Sequence, residues 1–169
     1  PFDLKAGDGL PAQGVAIDDW ADDNFDHRGW STELAESRLT DTDDPNTSIT
    51  DAMTVATARA VEELGIRTIV CVSGSGFTVR SMARFRPSAR ILGYSVDERT
   101  VRQLSLSWGT EPFHLPEDGA VDLRVAEALD LCREQAGVPA GELVAVLAGT
   151  DSRSRATNEL RLERIPDPA

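Results

Sequence analysis

Four short strand segments, three of them apolar runs, separated by stretches of helical spacing constrain this chain more than any other feature. They are Thr68-Ile69-Val70-Cys71-Val72, Arg90-Ile91-Leu92-Gly93-Tyr94, Thr110 to Leu115 and Leu143-Val144-Ala145-Val146-Leu147-Ala148. A strand apolar at nearly every position is covered on both faces. Strands alternating with helices mean βαβ crossovers, a mostly parallel sheet and helices on both sides of it. Asn158 to Ile165 differs: Leu160 and Leu162 alternate with Glu159, Arg161 and Glu163, the pattern of a half-exposed edge strand. The expected fold class is therefore α/β.

The helices between these runs carry their own start and stop signals. Ser48-Ile49-Thr50-Asp51 reads as a capping box, and Ile49, Met53, Ala56, Ala60 and Leu64 then fall on one helical face before Gly65. A second helix runs through Phe85 and stops before Pro87. Ser95-Val96-Asp97-Glu98 forms another capping box, opening a helix to about Trp108. Val121, Val125, Ala128 and Cys132 mark a fourth helix, closed by Gly137-Val138-Pro139.

Composition changes sharply near residue 48. Residues 1–48 hold 12 acidic and 3 basic side chains, residues 49–169 hold 17 and 14, and the whole chain carries a net charge of -12. The acidic arm, rich in Asp, Gly and Pro, reads as weakly ordered chain, and its Trp20, Phe25 and Trp30 are expected to dock onto the neighbouring domain 49–169. An acidic protein gains nothing from counterion release, which argues against a nucleic-acid partner. No apolar run approaches the roughly 20 residues of a membrane helix. Pro1-Phe2-Asp3-Leu4 lacks the form of a signal peptide, so a cytoplasmic protein is expected. The missing initiator Met suggests a processed product or a piece of a longer chain. Cys71 and Cys132 both read as core thiols.

In an open parallel sheet, ligands bind beyond the carboxyl ends of the strands. The turn after the first strand reads Ser73-Gly74-Ser75-Gly76-Phe77-Thr78 and runs into a helix. Small residues let backbone N–H groups approach a ligand, and the hydroxyls of Ser73, Ser75 and Thr78 add donors, a combination suited to phosphate or sulfate. The same residues occur in ordinary tight turns, so spacing alone leaves both readings open. A second loop, Thr150 to Asn158, brings Arg153 and Arg155, whose guanidiniums can fork onto phosphate oxygens or balance nearby acids. His27 and His114 have no partner at metal-ligand spacing, and the turn lacks the GxSxG of a nucleophile elbow. No catalytic residue, metal site or cofactor is expected from the sequence.

Several motifs in order resemble one family. They are Ala58-Arg59-Ala60-Val61-Glu62-Glu63-Leu64-Gly65, the turn Ser73 to Thr78 with Val79-Arg80, Arg84-Phe85-Arg86-Pro87, Asp97 to Leu104, Trp108-Gly109 and Thr157-Asn158-Glu159-Leu160. From about Ile49 to Ile165 the chain resembles the C-terminal domain of pyruvate kinase, without that enzyme's catalytic barrel. The resemblance implies a three-layer α/β/α fold with a five-stranded sheet, four strands parallel and the last antiparallel. It also implies a regulatory role: a phosphorylated small-molecule effector at Ser73, Gly74, Ser75, Gly76, Phe77 and Thr78, and contacts with a catalytic subunit or a second copy. The loop Asp151 to Ala156 departs from the family in having no glycine, which leaves the effector's identity open. Two other functions stay in play: a stand-alone enzyme using Asp151, His114 and Arg155 in the same pocket, or the tail of a full pyruvate kinase.

Overall fold

The computed structural model describes residues 45–116, 119–149 and 157–168, with side chains from residue 49 onward. The acidic arm with Trp20, Phe25 and Trp30 lies outside the described residues. The elements run α1 (Pro45–Leu64), β1 (Thr68–Val72), α2 (Phe77–Ala83), β2 (Arg90–Ser95), α3 (Glu98–Leu104), β3 (Thr110–His114), α4 (Val121–Glu134), β4 (Leu143–Ala148) and β5 (Glu159–Arg164). One five-stranded sheet has the order β3-β2-β1-β4-β5. The pairs β1–β2, β1–β4 and β2–β3 are parallel, and β4–β5 is antiparallel. The fold is the three-layer α/β/α arrangement expected.

Strand alternation divides the core in two. Ile69, Cys71, Ile91, Ala145 and Leu147 face a layer built by Ala58 and Val61 of α1, Val79 and Met82 of α2, and Leu104 of α3. Val70, Val72, Leu92, Tyr94, Val144 and Val146 face Val125, Ala128, Leu129 and Cys132 of α4. Gly93 of β2 lets the first layer come close: a Cβ there would meet both methyls of Val79 at 3.2 Å. Tyr94 is wholly buried, stacks on Phe113 with ring centroids 5.3 Å apart, and donates its hydroxyl to Cys132 Sγ at 3.3 Å.

Both cysteines are buried, and loss of water around them pushes the Cys71 thiol up to about 12 and that of Cys132 to about 11. Neither is expected to react with a disulfide reagent such as DTNB at pH 8 in the folded protein, whereas both react once guanidinium unfolds it. A thiol titrated within seconds under native conditions would contradict this burial.

Three sequence expectations are corrected. First, α1 begins at Pro45, one turn ahead of the Ser48 capping box. Proline suits the first turn of a helix because its φ is already helical and its missing N–H would have had no partner. Second, the face of α1 turned to the core is Thr50, Thr54, Thr57, Ala58 and Val61, while Ile49 and Leu64 are 44% and 53% exposed. Two of these threonines satisfy their hydroxyls on the helix itself, Thr54 Oγ1 donating to Thr50 O at 3.0 Å and Thr57 Oγ1 to Met53 O at 2.7 Å. Third, Asp97 rather than Ser95 caps α3, its carboxylate accepting from the N–H groups of Arg99 and Thr100, both at 3.1 Å. That helix ends at Leu104 rather than near Trp108.

Candidate functional site

The strand order fixes where a ligand site can form. The chain lays down β1, β2 and β3 toward one edge and then returns to place β4 on the other side of β1. Sheets of this kind bind ligands in the crevice beyond the carboxyl ends of the strands where the order reverses. Here those ends belong to β1 and β4, with Cys71 beside Leu147. Two residues further on, Ser73 opens one loop and Gly149 the other. The two loops singled out in the sequence therefore start side by side.

In the turn after β1, the carbonyls and flanking groups are tied inward. Ser73, 9% exposed, donates its N–H to Tyr94 O at 2.9 Å. The Gly74 carbonyl accepts from Ser95 Oγ at 3.1 Å, and the Ser75 carbonyl accepts from Arg80 Nη2 at 3.0 Å. Gly76 has φ 70°, a left-handed conformation that suits glycine, and its carbonyl accepts the N–H of Arg80 at 3.1 Å, the first turn of α2. By contrast, no acceptor among the described residues falls on the N–H groups of Gly74, Ser75 or Gly76. Gly74, Ser75 and Phe77 are half-buried, while Gly76 and Thr78 are buried. The Thr78 hydroxyl is hydrogen-bonded to that of Thr157, which lies just before β5, so the far end of the second loop is fastened to the turn.

Arg124 was not among the residues singled out in the sequence, and it lies at the same pole. It occupies the first turn of α4, is 6% exposed, and donates Nη2 to the carbonyl of Gly149 at 3.2 Å. Its Nε is buried with no hydrogen-bond partner among the described residues. A signal for it exists in the sequence: residues 121, 124, 125 and 128 make the i, i+3, i+4, i+7 pattern of a core-facing stripe, and Arg124 holds the second place. A guanidinium in that position is desolvated, and desolvated cations are costly without a counter-charge. Arg80 is the second residue the sequence reading left out of the site. It is exposed, and it lies across the turn.

Asp97 follows β2 at the start of α3, and capping that helix occupies its carboxylate. Its pKa is held below the usual carboxylate range by the hydroxyl of Thr100, at 2.8 Å, and by the N–H of Arg99. Arg153, Arg155 and Asp151 lie outside the described residues. His114 is exposed at the end of the edge strand β3, two strands and roughly 10 Å from β1. The structure therefore does not bring it to the turn. Among the described residues, no three His, Cys, Asp or Glu side chains gather as a metal site would require. An open depression of about 430 Å³ lies at the opposite pole, beside Arg90, Trp108 and Glu111, and holds no part of the turn.

Comparison with known proteins agrees with this fold. Residues 51–162 match the family described as "Pyruvate kinase, alpha/beta domain". The chain belongs to that family. It is 32% identical over 119 residues to a pyruvate kinase of Lactobacillus delbrueckii subsp. bulgaricus, covering 70% of this chain and 20% of the relative. It is 30% identical over 121 residues to that of Clostridium acetobutylicum, covering 71% and 25%. The chain thus spans about a fifth to a quarter of the length of these curated relatives. Two crystal structures of Cryptosporidium parvum pyruvate kinase share the fold. One has a TM-score of 0.69 at 17% identity, over 85% of this chain and 27% of that one; the other has 0.60 at 18%, over 70% and 22%. The match covers the C-terminal α/β domain without a barrel. Among the described residues no helix is long and apolar enough to cross a membrane.

Proposed function

We propose that this pyruvate kinase α/β domain is a regulatory and assembly module that holds the phosphate of a small-molecule effector at the turn Ser73–Thr78. One observation carries the reading. The carbonyls of Gly74, Ser75 and Gly76 are all engaged, while the three N–H groups between them have no acceptor among the described residues. Donors left over at a strand end suit an anion. Arg124, buried beside the neighbouring loop with its Nε unpartnered, supplies a fixed positive charge at the same pole. In this reading Arg153 and Arg155 count among the effector's contacts.

The module is expected to work in the cytoplasm, without a cofactor, against a catalytic subunit or a second copy of itself. A second reading is favoured by the share of each relative that the chain covers. On it, the domain is the C-terminal part of a full pyruvate kinase, which transfers a phosphoryl group from phosphoenolpyruvate to ADP at an active site elsewhere. The two readings are compatible, since a regulatory domain can serve a barrel in the same chain.

Thermal-shift titration with phosphorylated sugars and nucleotides tests the binding step. A ligand at 100 times its dissociation constant adds about 2.7 kcal/mol to stability. No rise in melting temperature with any phosphorylated compound at millimolar concentration would remove this function.

A further inference from the structure

Charge is unevenly placed over the domain. Residues 77–109, from α2 through the loop after α3, hold six arginines and only two acids, Asp97 and Glu98. Residues 110–169 hold 12 acidic and 6 basic side chains. Arg86, Arg99 and Arg102 of the basic stretch are exposed. Arg102 meets Glu98 at 3.4 Å, but both partners stand in water, and such a pair is weakly held. The same stretch exposes two large apolar side chains. Leu106 is 91% exposed, and Trp108 is 49% exposed although the Arg86 guanidinium lies over its ring, Cζ 5.8 Å from the centroid. Exposed apolar surface rimmed by charge marks an interaction site. Leu123 of α4 is exposed as well, yet it belongs to the acidic stretch, with Asp122 and Glu127 beside it.

We infer that the acidic arm of the same chain, residues 1–44, covers this α2–α3 face, its carboxylates on Arg86, Arg99 and Arg102 and its aromatic side chains on Leu106 and Trp108. Three observations single out the arm as the occupant. Its charge is opposite: residues 1–48 hold 12 acidic and 3 basic side chains. It carries the apolar groups such a face lacks, in Trp20, Phe25 and Trp30. It is also tethered beside the face. α1 begins at Pro45, and Asp51, six residues further on, accepts Arg84 Nη2 at 2.7 Å, Arg84 being the C-cap of α2. About 9 Å of helix therefore separates the point where the arm joins α1 from a residue held against α2. Residues 31–44, fully extended, span at most about 50 Å, enough to carry Trp30 across α2 and α3. A tethered segment meets its site at high effective concentration, so exposed ion pairs and a few apolar contacts suffice. Those ion pairs are screened by salt.

Paramagnetic broadening in the ¹⁵N-labelled full chain tests this. Cys71 and Cys132 are buried, so in Asn24→Cys a nitroxide reagent modifies the introduced thiol. At low salt the amides of Arg86, Arg102 and Leu106 and the Trp108 indole N–H are expected to lose most of their intensity and regain it when ascorbate reduces the label. Signals of Leu123 and Glu134, on the helix covering the other face of the sheet, should keep theirs. Arg99→Glu combined with Arg102→Glu should restore much of the lost intensity, and so should 0.5 M NaCl. Uniform broadening, none at all, or broadening centred on α4 overturns the inference, as does a pattern that neither salt nor charge reversal changes. Mixing nitroxide-labelled ¹⁴N chains with unlabelled ¹⁵N chains separates the occupants: the same pattern in the mixture assigns the face to a second copy's arm and overturns the assignment in cis. Melting curves check that the charge-reversed domain folds. Should it not, Trp20→Ala combined with Trp30→Ala, which alters no residue of the domain, must release the same signals, and unchanged broadening there overturns the inference.

Discussion

Arg124→Met is expected to make the domain more stable and at the same time deaf to phosphate. The wild-type guanidinium is 6% exposed and, among the described residues, makes one hydrogen bond, to Gly149, and leaves Nε unpartnered. A buried cation without a carboxylate loses hydration that one carbonyl does not replace. Replacing buried charges by apolar side chains of similar volume is often neutral or stabilising by about 1–4 kcal/mol. Methionine keeps the aliphatic stem and adapts to the space. Against this stands the bond to Gly149, about 1 kcal/mol. The expected balance is a gain of about 1 kcal/mol, or roughly 3 °C in melting temperature, with the phosphate-induced shift abolished. Differential scanning calorimetry with and without 10 mM phosphate reads both quantities. A variant that melts lower than wild type yet keeps its phosphate response would make Arg124 a structural residue.

Gly76→Ala should cost about 2–4 kcal/mol in urea unfolding, whereas Gly65→Ala should cost about 1 kcal/mol. Both glycines have left-handed backbones, φ 70° and φ 64°, so the conformational penalty is common to them. They differ in surroundings. An added Cβ at Gly65 meets nothing within 4 Å, while at Gly76 it would stand 3.0 Å from Arg80 Nη1, Leu104 Cδ2 and Thr100 Cγ2. The arginine can swing away, but Leu104 and Thr100 are buried and cannot. Their displacement should disturb α3 and the turn together and weaken phosphate binding as well. Equal costs at the two positions would show that the turn is not packed against α3 as described.

The sheet was legible in the sequence because a strand covered on both faces must be apolar at successive positions, and Ile69 to Val72 and Leu143 to Ala148 leave no other choice. The edge strand β5 was legible through its alternation. The antiparallel direction of β5 came from the family resemblance, since alternation carries no direction. The buried face of α1 was misread because hydropathy counts threonine as polar. Thr54 and Thr57 satisfy their hydroxyls on the carbonyls of their own helix, leaving their methyl groups for the core. Ser95 was mistaken for a cap for a similar reason: its hydroxyl serves the turn by donating to Gly74 O, leaving the capping to Asp97. The Ser73–Thr78 turn could be located from small residues at a strand end. The link between that turn and Arg124 could not, because it depends on β4 lying next to β1, a pairing between segments more than 70 residues apart.

The most direct measurement is an amide ¹H–¹⁵N NMR titration of the labelled protein with inorganic phosphate at pH 7.5. Downfield, saturable shifts of the Gly74, Ser75 and Gly76 amides, following one binding curve with the Arg124 Nε–H signal, are the expected result. If those four signals stay in place through 20 mM phosphate, the turn is an ordinary strand-to-helix connection and no anion is held there.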